Sequence, residues 1–111
     1  MSHSNIELIH HIADEITFIL HATSGKTKEQ FLLDPTLTRA TIRSLEIIGE
    51  AAKKLDLDFR NKYKEVDWKG MAGTRDKLIH DYFGIDYNLV WDIIRMELPV
   101  LSVHIERILL A

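Results

Sequence analysis

The sequence predicts an all-α domain of four to five helices, and three observations support this class. Apolar residues recur at steps of three and four through most of the chain, which is the spacing of one helical face. No stretch shows the strict alternation of a half-buried strand. Residues that cap helices stand at the ends of the periodic segments. With 111 residues, the chain is long enough for one domain, spanning 1–111, with a single core.

The first two helices are predicted from an apolar stripe and from the capping residues that follow it. The stripe of the first helix consists of Ile6, Ile9, Ala13, Ile16 and Leu20. Gly25 suits the left-handed position that ends a helix. Thr27 and Gln30 match a capping box, in which each side chain bonds the backbone of the other residue. They predict a short second helix that runs through Leu33.

A long third helix is predicted to start where Asp34 can cap it and Pro35 can occupy its first position. Its apolar face continues to about Leu55. Gly49 lies inside this helix, where glycine costs roughly 1 kcal/mol relative to alanine. We therefore expect another helix to approach closely there, in preference to a direct ligand role.

The polar segment that follows is predicted to be an irregular connection, residues 56–67, with one helical turn near Phe59–Tyr63. Asp67 should cap the next helix, from Trp68 to about Phe83. This helix contains the most polar pattern of the chain and is called the motif helix below.

The last helix should begin after Asp86, which can cap it. An apolar pattern continues through Leu98–Leu110, but Pro99 lies within it. Because proline has no backbone N–H and its ring collides with the preceding turn, we expect a kink or an interruption at this point.

Composition places the chain among globular proteins, with 46% hydrophobic and 28% charged residues. The absence of cysteine fits a reducing cytoplasm, and neither a membrane span nor a signal peptide is recognisable. The formal net charge is −3, yet residues 53–77 hold eight Lys/Arg against five Asp/Glu. This basic stretch suggests a phosphate-bearing partner, although solvated helix charges explain it equally well.

The motif helix carries Arg75, Asp76 and His80, whose side chains could together act on a phosphate ester. Asp76 and His80 are four positions apart, so the carboxylate can hold the imidazole on one helical face. Arg75 lies about 140° around the axis from His80 and about 7.5 Å along it. Arg75 could reach the same pocket through its length or through a second copy of the chain. The alternative is an Asp76–His80 pair on a solvated face, with Arg75 in a surface ion pair.

The remaining histidines do not form a metal site by their spacing. His10 and His11 are adjacent and point apart, and His21 is about 16 Å along the helix from His10. Neither an HExxH pattern nor a phosphate-binding glycine loop occurs. We expect no metal and no cofactor.

The pattern Arg75-x-x-x-x-His80-x-Tyr82 resembles the signature of the HEPN superfamily, and specifically of its HepT-like toxin family. The resemblance continues in order along nearly the whole chain. It includes Phe31-Leu32-x-Asp34, Ile47-Ile48-Gly49-Glu50-Ala51-Ala52-Lys53, Trp68, Val90-Trp91 and Leu98-Pro99-x-Leu101. Asp76 fits as well, because the family commonly has a polar residue after the arginine.

The resemblance implies a HEPN-type helical bundle that forms a two-fold homodimer with two motifs in a shared cleft. It also implies a metal-independent endoribonuclease toxin of a type VII-like toxin–antitoxin pair, with tRNA as one candidate substrate. His80 would be the general acid or base, Arg75 would stabilise phosphate charge, and Asp76 would orient His80. The partner would be an MntA-like nucleotidyltransferase antitoxin that adds AMP to Tyr82. The alternative is a non-catalytic module that docks such a partner or its nucleotide.

Overall fold

A computed structural model of the chain describes residues 3–80 and 84–111, and for residues 75–80 it describes the backbone alone. The helices, numbered α1 to α7 in chain order, are Asn5–Thr23, Lys28–Leu32, Pro35–Lys54, Leu57–Lys62, Trp68–His80, Tyr87–Asp92 and Leu98–Leu110. A π-helical segment, Ile93–Glu97, joins α6 to α7. The described part of the chain contains no strand, so the prediction of an all-α, HEPN-type bundle is confirmed.

The ends of α1 and α2 follow from local chemistry, as predicted. Gly25 adopts a φ of 73°, in the left-handed region that glycine enters without a steric penalty. The Thr27 hydroxyl accepts a hydrogen bond from the backbone N–H of Gln30 at 3.1 Å. In return, the Thr27 amide donates to the Gln30 side-chain oxygen at 2.9 Å. The capping box is therefore complete, and the short helix that it starts is confirmed.

The long helix α3 is the central element of the bundle, because it packs against both α1 and α5. The Asp34 carboxylate accepts a hydrogen bond from the Leu37 amide at 3.0 Å, and Pro35 occupies the first turn. The helix ends at Lys54, one residue before the expected Leu55. Gly49 is buried, as the packing role predicted for it requires.

The connection after α3 contains the short helix α4, Leu57–Lys62. This helix begins two residues before the predicted turn and is slightly longer than a single turn. Asp56 makes no side-chain capping bond within α4. Its carboxylate instead accepts a hydrogen bond from the Asn5 amide group at 3.0 Å. The Asp56 backbone N–H donates to the Asn5 side-chain oxygen at 3.1 Å. This reciprocal pair joins the beginning of α4 to the beginning of α1.

The C-terminal helical element departs from α-helical geometry before Pro99, at Ile93–Glu97. The run Leu98–Leu110, where an interruption was expected, is an unbroken α-helix with Pro99 in its first turn. Asp86 caps α6 by accepting hydrogen bonds from the amides of the second and third residues after it. The Leu98 amide donates to the carbonyl of Ile93, five residues earlier, so the turn before Pro99 is wider than an α-turn. Since Pro99 offers no N–H to the carbonyl four residues before it, an ordinary turn would leave that carbonyl unpaired.

The core lies among α1, α3 and the C-terminal element, and its central apolar side chains are almost entirely inaccessible to solvent. These are Ile9, Ile12, Ile16, Ile19, Phe31, Val90, Ile94 and Ile105. The rings of Phe31 and Trp91 lie 5.3 Å apart, which ties α2 to α6. No helix in the described residues is long and apolar enough to cross a membrane.

Candidate active site

The motif helix, α5, is fixed at its first residue by Trp68. The indole is 5% exposed, and its Nε1–H donates a hydrogen bond to the carbonyl oxygen of Tyr63 at 3.0 Å. The ring of Phe59 lies 6.3 Å from the indole, measured between centroids. A buried Trp that also has its N–H bonded has a defined orientation. The position and the rotation of α5 at its start are therefore determined by packing.

Asp67 caps α5, as predicted from the sequence. Its carboxylate accepts a hydrogen bond from the Gly70 amide at 2.9 Å. The same carboxylate lies where a Cβ atom on Gly70 would be placed, so a side chain at Gly70 would displace the cap. One turn later, the Thr74 hydroxyl donates to the Gly70 carbonyl oxygen at 2.9 Å. The first turns of α5 are thus held by polar contacts as well as by Trp68.

The structure places Arg75, Asp76 and His80 on α5, which is described as far as His80. Their side chains lie outside the described part of the chain, so the predicted contact between Asp76 and His80 stays a prediction. Tyr82 and the predicted continuation of the helix to Phe83 also fall outside the described residues.

Helical geometry shows which described residues share a face with the motif. At about 100° per residue, positions 69, 73, 76 and 80 of α5 fall within about 60° of one another. We call these four positions the His80 face. Lys69 on this face is exposed, and a Cβ atom added to Gly73 would meet no described atom within 4 Å. The described positions of the His80 face, Lys69 and Gly73, therefore lie away from the core of the protomer.

The other side of α5 borders a groove of about 550 Å³, which we call the α5–α7 groove. Gly70, Met71 and Thr74 line it, centred roughly 145° around α5 from Lys69. His104 of α7 also lines the groove, and its Nδ1 is buried without a hydrogen-bond partner in the described structure. The sequence analysis missed His104. The sequence did contain an indication of its burial, because His104 stands among mostly apolar residues of the C-terminal helix.

The histidines of α1 lie away from the motif helix. His11 contacts the ring of His3 at 5.3 Å between centroids, and His3 is also 3.0 Å from the Glu7 carboxylate. Among the described side chains, no group of three or more His, Asp or Glu is placed to share a metal ion.

An all-α bundle whose capped helix α5 carries an Arg-x₄-His pattern matches a HEPN-type protein. The profile of the ribonuclease HepT-like family matches residues 12–108. The chain therefore belongs to the HepT-like ribonuclease family of the HEPN superfamily, and the family expected from the sequence is confirmed.

Relatives of similar length support this assignment. A protein named "putative RNase" from Caldanaerobacter subterraneus subsp. tengcongensis is 48% identical over 91% of this chain and 90% of its own length. Another with that name, from Methanocaldococcus jannaschii, is 48% identical over 91% of this chain and 84% of its own. The "probable ribonuclease HepT" of Thermococcus cleftensis is 39% identical over 97% and 98% of the two chains. No solved structure gives a significant match.

The two glycines of α5 allow a matched test of this geometry. We expect Gly73→Ala to raise the free energy of unfolding by about 1 kcal/mol, because alanine is the better helix former and open space surrounds this position. Gly70→Ala should give no such gain, since the new methyl group displaces the Asp67 cap, which contributes about 1 kcal/mol. Urea denaturation of both variants measures the difference. Equal shifts for the two variants would contradict the described start of α5.

Proposed function

We propose that this protein is a metal-independent endoribonuclease in which His80, Arg75 and Asp76 carry the reaction. The observation that carries the proposal is that the described positions of the His80 face, Lys69 and Gly73, lie away from the core on a helix whose start is fixed by Trp68 and Asp67. Membership of a ribonuclease family and relatives named as RNases support RNA as the substrate. Exposed Lys69 on the same face adds a positive charge suited to a phosphate backbone.

RNA carries its own nucleophile, so the protein has to move protons and stabilise charge. In the proposed reaction the 2′-hydroxyl attacks the adjacent phosphorus, and the bond from phosphorus to the 5′ oxygen breaks. His80 serves as the general base or acid, since the ordinary pKa of histidine lies near the operating pH. Arg75 stabilises the negative charge that develops on the phosphate oxygens. Asp76 orients the imidazole, and the products are a 2′,3′-cyclic phosphate and a 5′-hydroxyl.

The reaction requires one group that accepts a proton and one that donates a proton. A two-fold homodimer that joins two copies near the His80 face would place two His80 imidazoles in one cleft, one for each role. The open space beside Gly73 leaves room for a second helix to approach α5 there. We therefore propose the dimer as the active form.

We further propose that the protein is the toxin of a type VII-like toxin–antitoxin pair and acts in the cytoplasm. Its partner would be an MntA-like nucleotidyltransferase that attaches AMP to Tyr82. A phosphate covalently attached near Arg75 would occupy the position of the RNA phosphate, and the attached base would add bulk. Substrate would thereby be excluded without loss of the fold.

The proposed roles of His80 and Arg75 can be tested by alanine substitution. His80→Ala and Arg75→Ala should each lower the rate of RNA cleavage by roughly 10²-fold or more, as expected for acid–base and electrostatic catalysis. EDTA should leave the rate of the wild-type protein unchanged. His10→Ala is a matched control, because His10 is an exposed histidine of α1, and this variant should keep full activity.

Strict dependence of cleavage on added Mg²⁺ would contradict the proposed mechanism. A folded wild-type protein that binds the nucleotidyltransferase but cleaves no RNA would instead identify a non-catalytic docking module. The assay uses purified protein with total RNA, and the termini of the products are read by their susceptibility to end-modifying enzymes.

Mixed dimers test whether the cleft is shared. Dimers of one wild-type and one His80→Ala copy, isolated with two different affinity tags, should lose far more than half of the activity if both imidazoles serve one reaction. Half of the wild-type rate per dimer would show that each copy works alone. A monomer in sedimentation velocity at micromolar concentration would contradict the proposed assembly.

The role of Tyr82 is tested by Tyr82→Phe, which keeps the ring but removes the hydroxyl that would accept AMP. We expect this variant to fold, to retain at least part of its RNA cleavage and to resist neutralisation by the cognate nucleotidyltransferase with ATP. Mass spectrometry of wild-type protein produced with that partner should show added AMP on the peptide that contains Tyr82. If Tyr82→Phe is neutralised as completely as wild type, the partner acts by binding alone.

A further inference from the structure

The α5–α7 groove has the shape and the charge of a binding site for a helix from another protein. We propose that it accepts an amphipathic helix that places apolar side chains in the groove and Lys or Arg side chains along its edges. The inference rests on the proposed function in one respect: a dimer formed at the His80 face leaves this groove free, because the two lie on different sides of α5.

The groove presents apolar surface that the described part of the protomer does not cover. Its volume of about 550 Å³ falls within the range of roughly 300–1,000 Å³ typical of ligand-binding clefts. Leu45 and Ile48 of α3 contribute buried side chains to its lining. Met96 and Val100 line it while remaining 72% and 58% exposed. Contiguous exposed apolar surface of this kind marks an interaction site.

The charges around the groove define what can bind there. Three exposed carboxylates line it, those of Glu65, Asp67 and Glu97, and its described lining contains no Lys or Arg. RNA is disfavoured, because its phosphates would face these carboxylates. A peptide with cations flanking an apolar stripe satisfies both the apolar floor and the acidic rim.

The secondary structure of the lining indicates that the occupant is a helix. The described lining consists of helices and of the segment before α5, so it offers no free strand edge to which an extended peptide could add. From Met96 to His104 the C-terminal element runs for about 12 Å, which matches two to three turns of a bound helix. Apolar residues at positions i, i+4 and i+7 of the occupant would then point into the groove.

A second copy of the chain is a poorer occupant than a different protein. In a two-fold interface centred on this groove, the same surface patch meets itself. Glu65, Asp67 and Glu97 of both copies would then come together, and like charges at an interface are costly. A different protein can supply the missing cations.

Selection from a displayed peptide library tests the proposal with the full-length protein. The library consists of helices of about 16 residues with leucine at i, i+4, i+7 and i+11 and with flanking positions drawn from Lys, Arg, Asp, Glu, Ser and Gln. We expect enrichment of Lys and Arg at the flanking positions. Val100→Glu should weaken binding of the selected helices by about tenfold or more, measured by fluorescence anisotropy.

Two further variants make the result specific. Leu33→Glu introduces the same charge at an apolar residue that is 83% exposed and outside the groove, and it should bind the selected helices like wild type. Glu65→Lys combined with Glu97→Lys should reverse the selection toward Asp and Glu. Circular dichroism and thermal unfolding confirm that each variant is folded.

Several outcomes would overturn the proposal. Failure to enrich any helix, or enrichment without a preference for cations, would remove it. Dissociation of the dimer by Val100→Glu in sedimentation velocity would assign the groove to contacts between copies. Loss of RNA binding in this variant, with the dimer intact, would assign it to RNA. Peptide binding is measured without RNA, so absence of nuclease activity would refute the proposed function and leave the groove result unaffected.

Discussion

The burial of Trp68 determines the rotation of α5, and every functional position on that helix depends on this rotation. The indole is packed beside Phe59 and bonded to the Tyr63 carbonyl. Because successive residues of a helix advance by about 100°, fixing the first residue fixes the direction of all the others. A change of one position at the start of α5 would rotate every later residue of the helix by about 100°.

Local chemistry made most helix boundaries predictable from the sequence. Gly25 ends α1, and Asp34 and Asp86 cap the helices that follow them, because in each case the capping group lies within three residues of the backbone that it serves. The spacing of Asp76 and His80 likewise placed them on one face. Family resemblance, and not spacing, gave Arg75 its expected role.

Tertiary contacts explain what the sequence could not predict. The direction of the His80 face depends on the packing of Trp68 against residues of the preceding connection. The α5–α7 groove and the position of His104 depend on how α7 lies beside α5. Asn5 and Asp56 are 51 positions apart, and Arg95 donates a hydrogen bond at 2.7 Å to the carbonyl of Lys26, 69 positions away. No periodic pattern reports on such pairs.

The π-helical segment before Pro99 has a consequence for how the chain can vary in length. A π-turn holds one more residue than an α-turn, so it accommodates locally what an insertion of one residue would add. A deletion of one residue within Ile93–Glu97 would convert the wide turn to an ordinary α-turn and keep the direction of α7. A deletion within α6 has no such compensation and would rotate the whole of α7 by about 100°. Val100 and His104 would leave the groove, and core residues such as Ile105 would turn toward solvent. A change of one residue in length is therefore far more tolerable within Ile93–Glu97 than within α6.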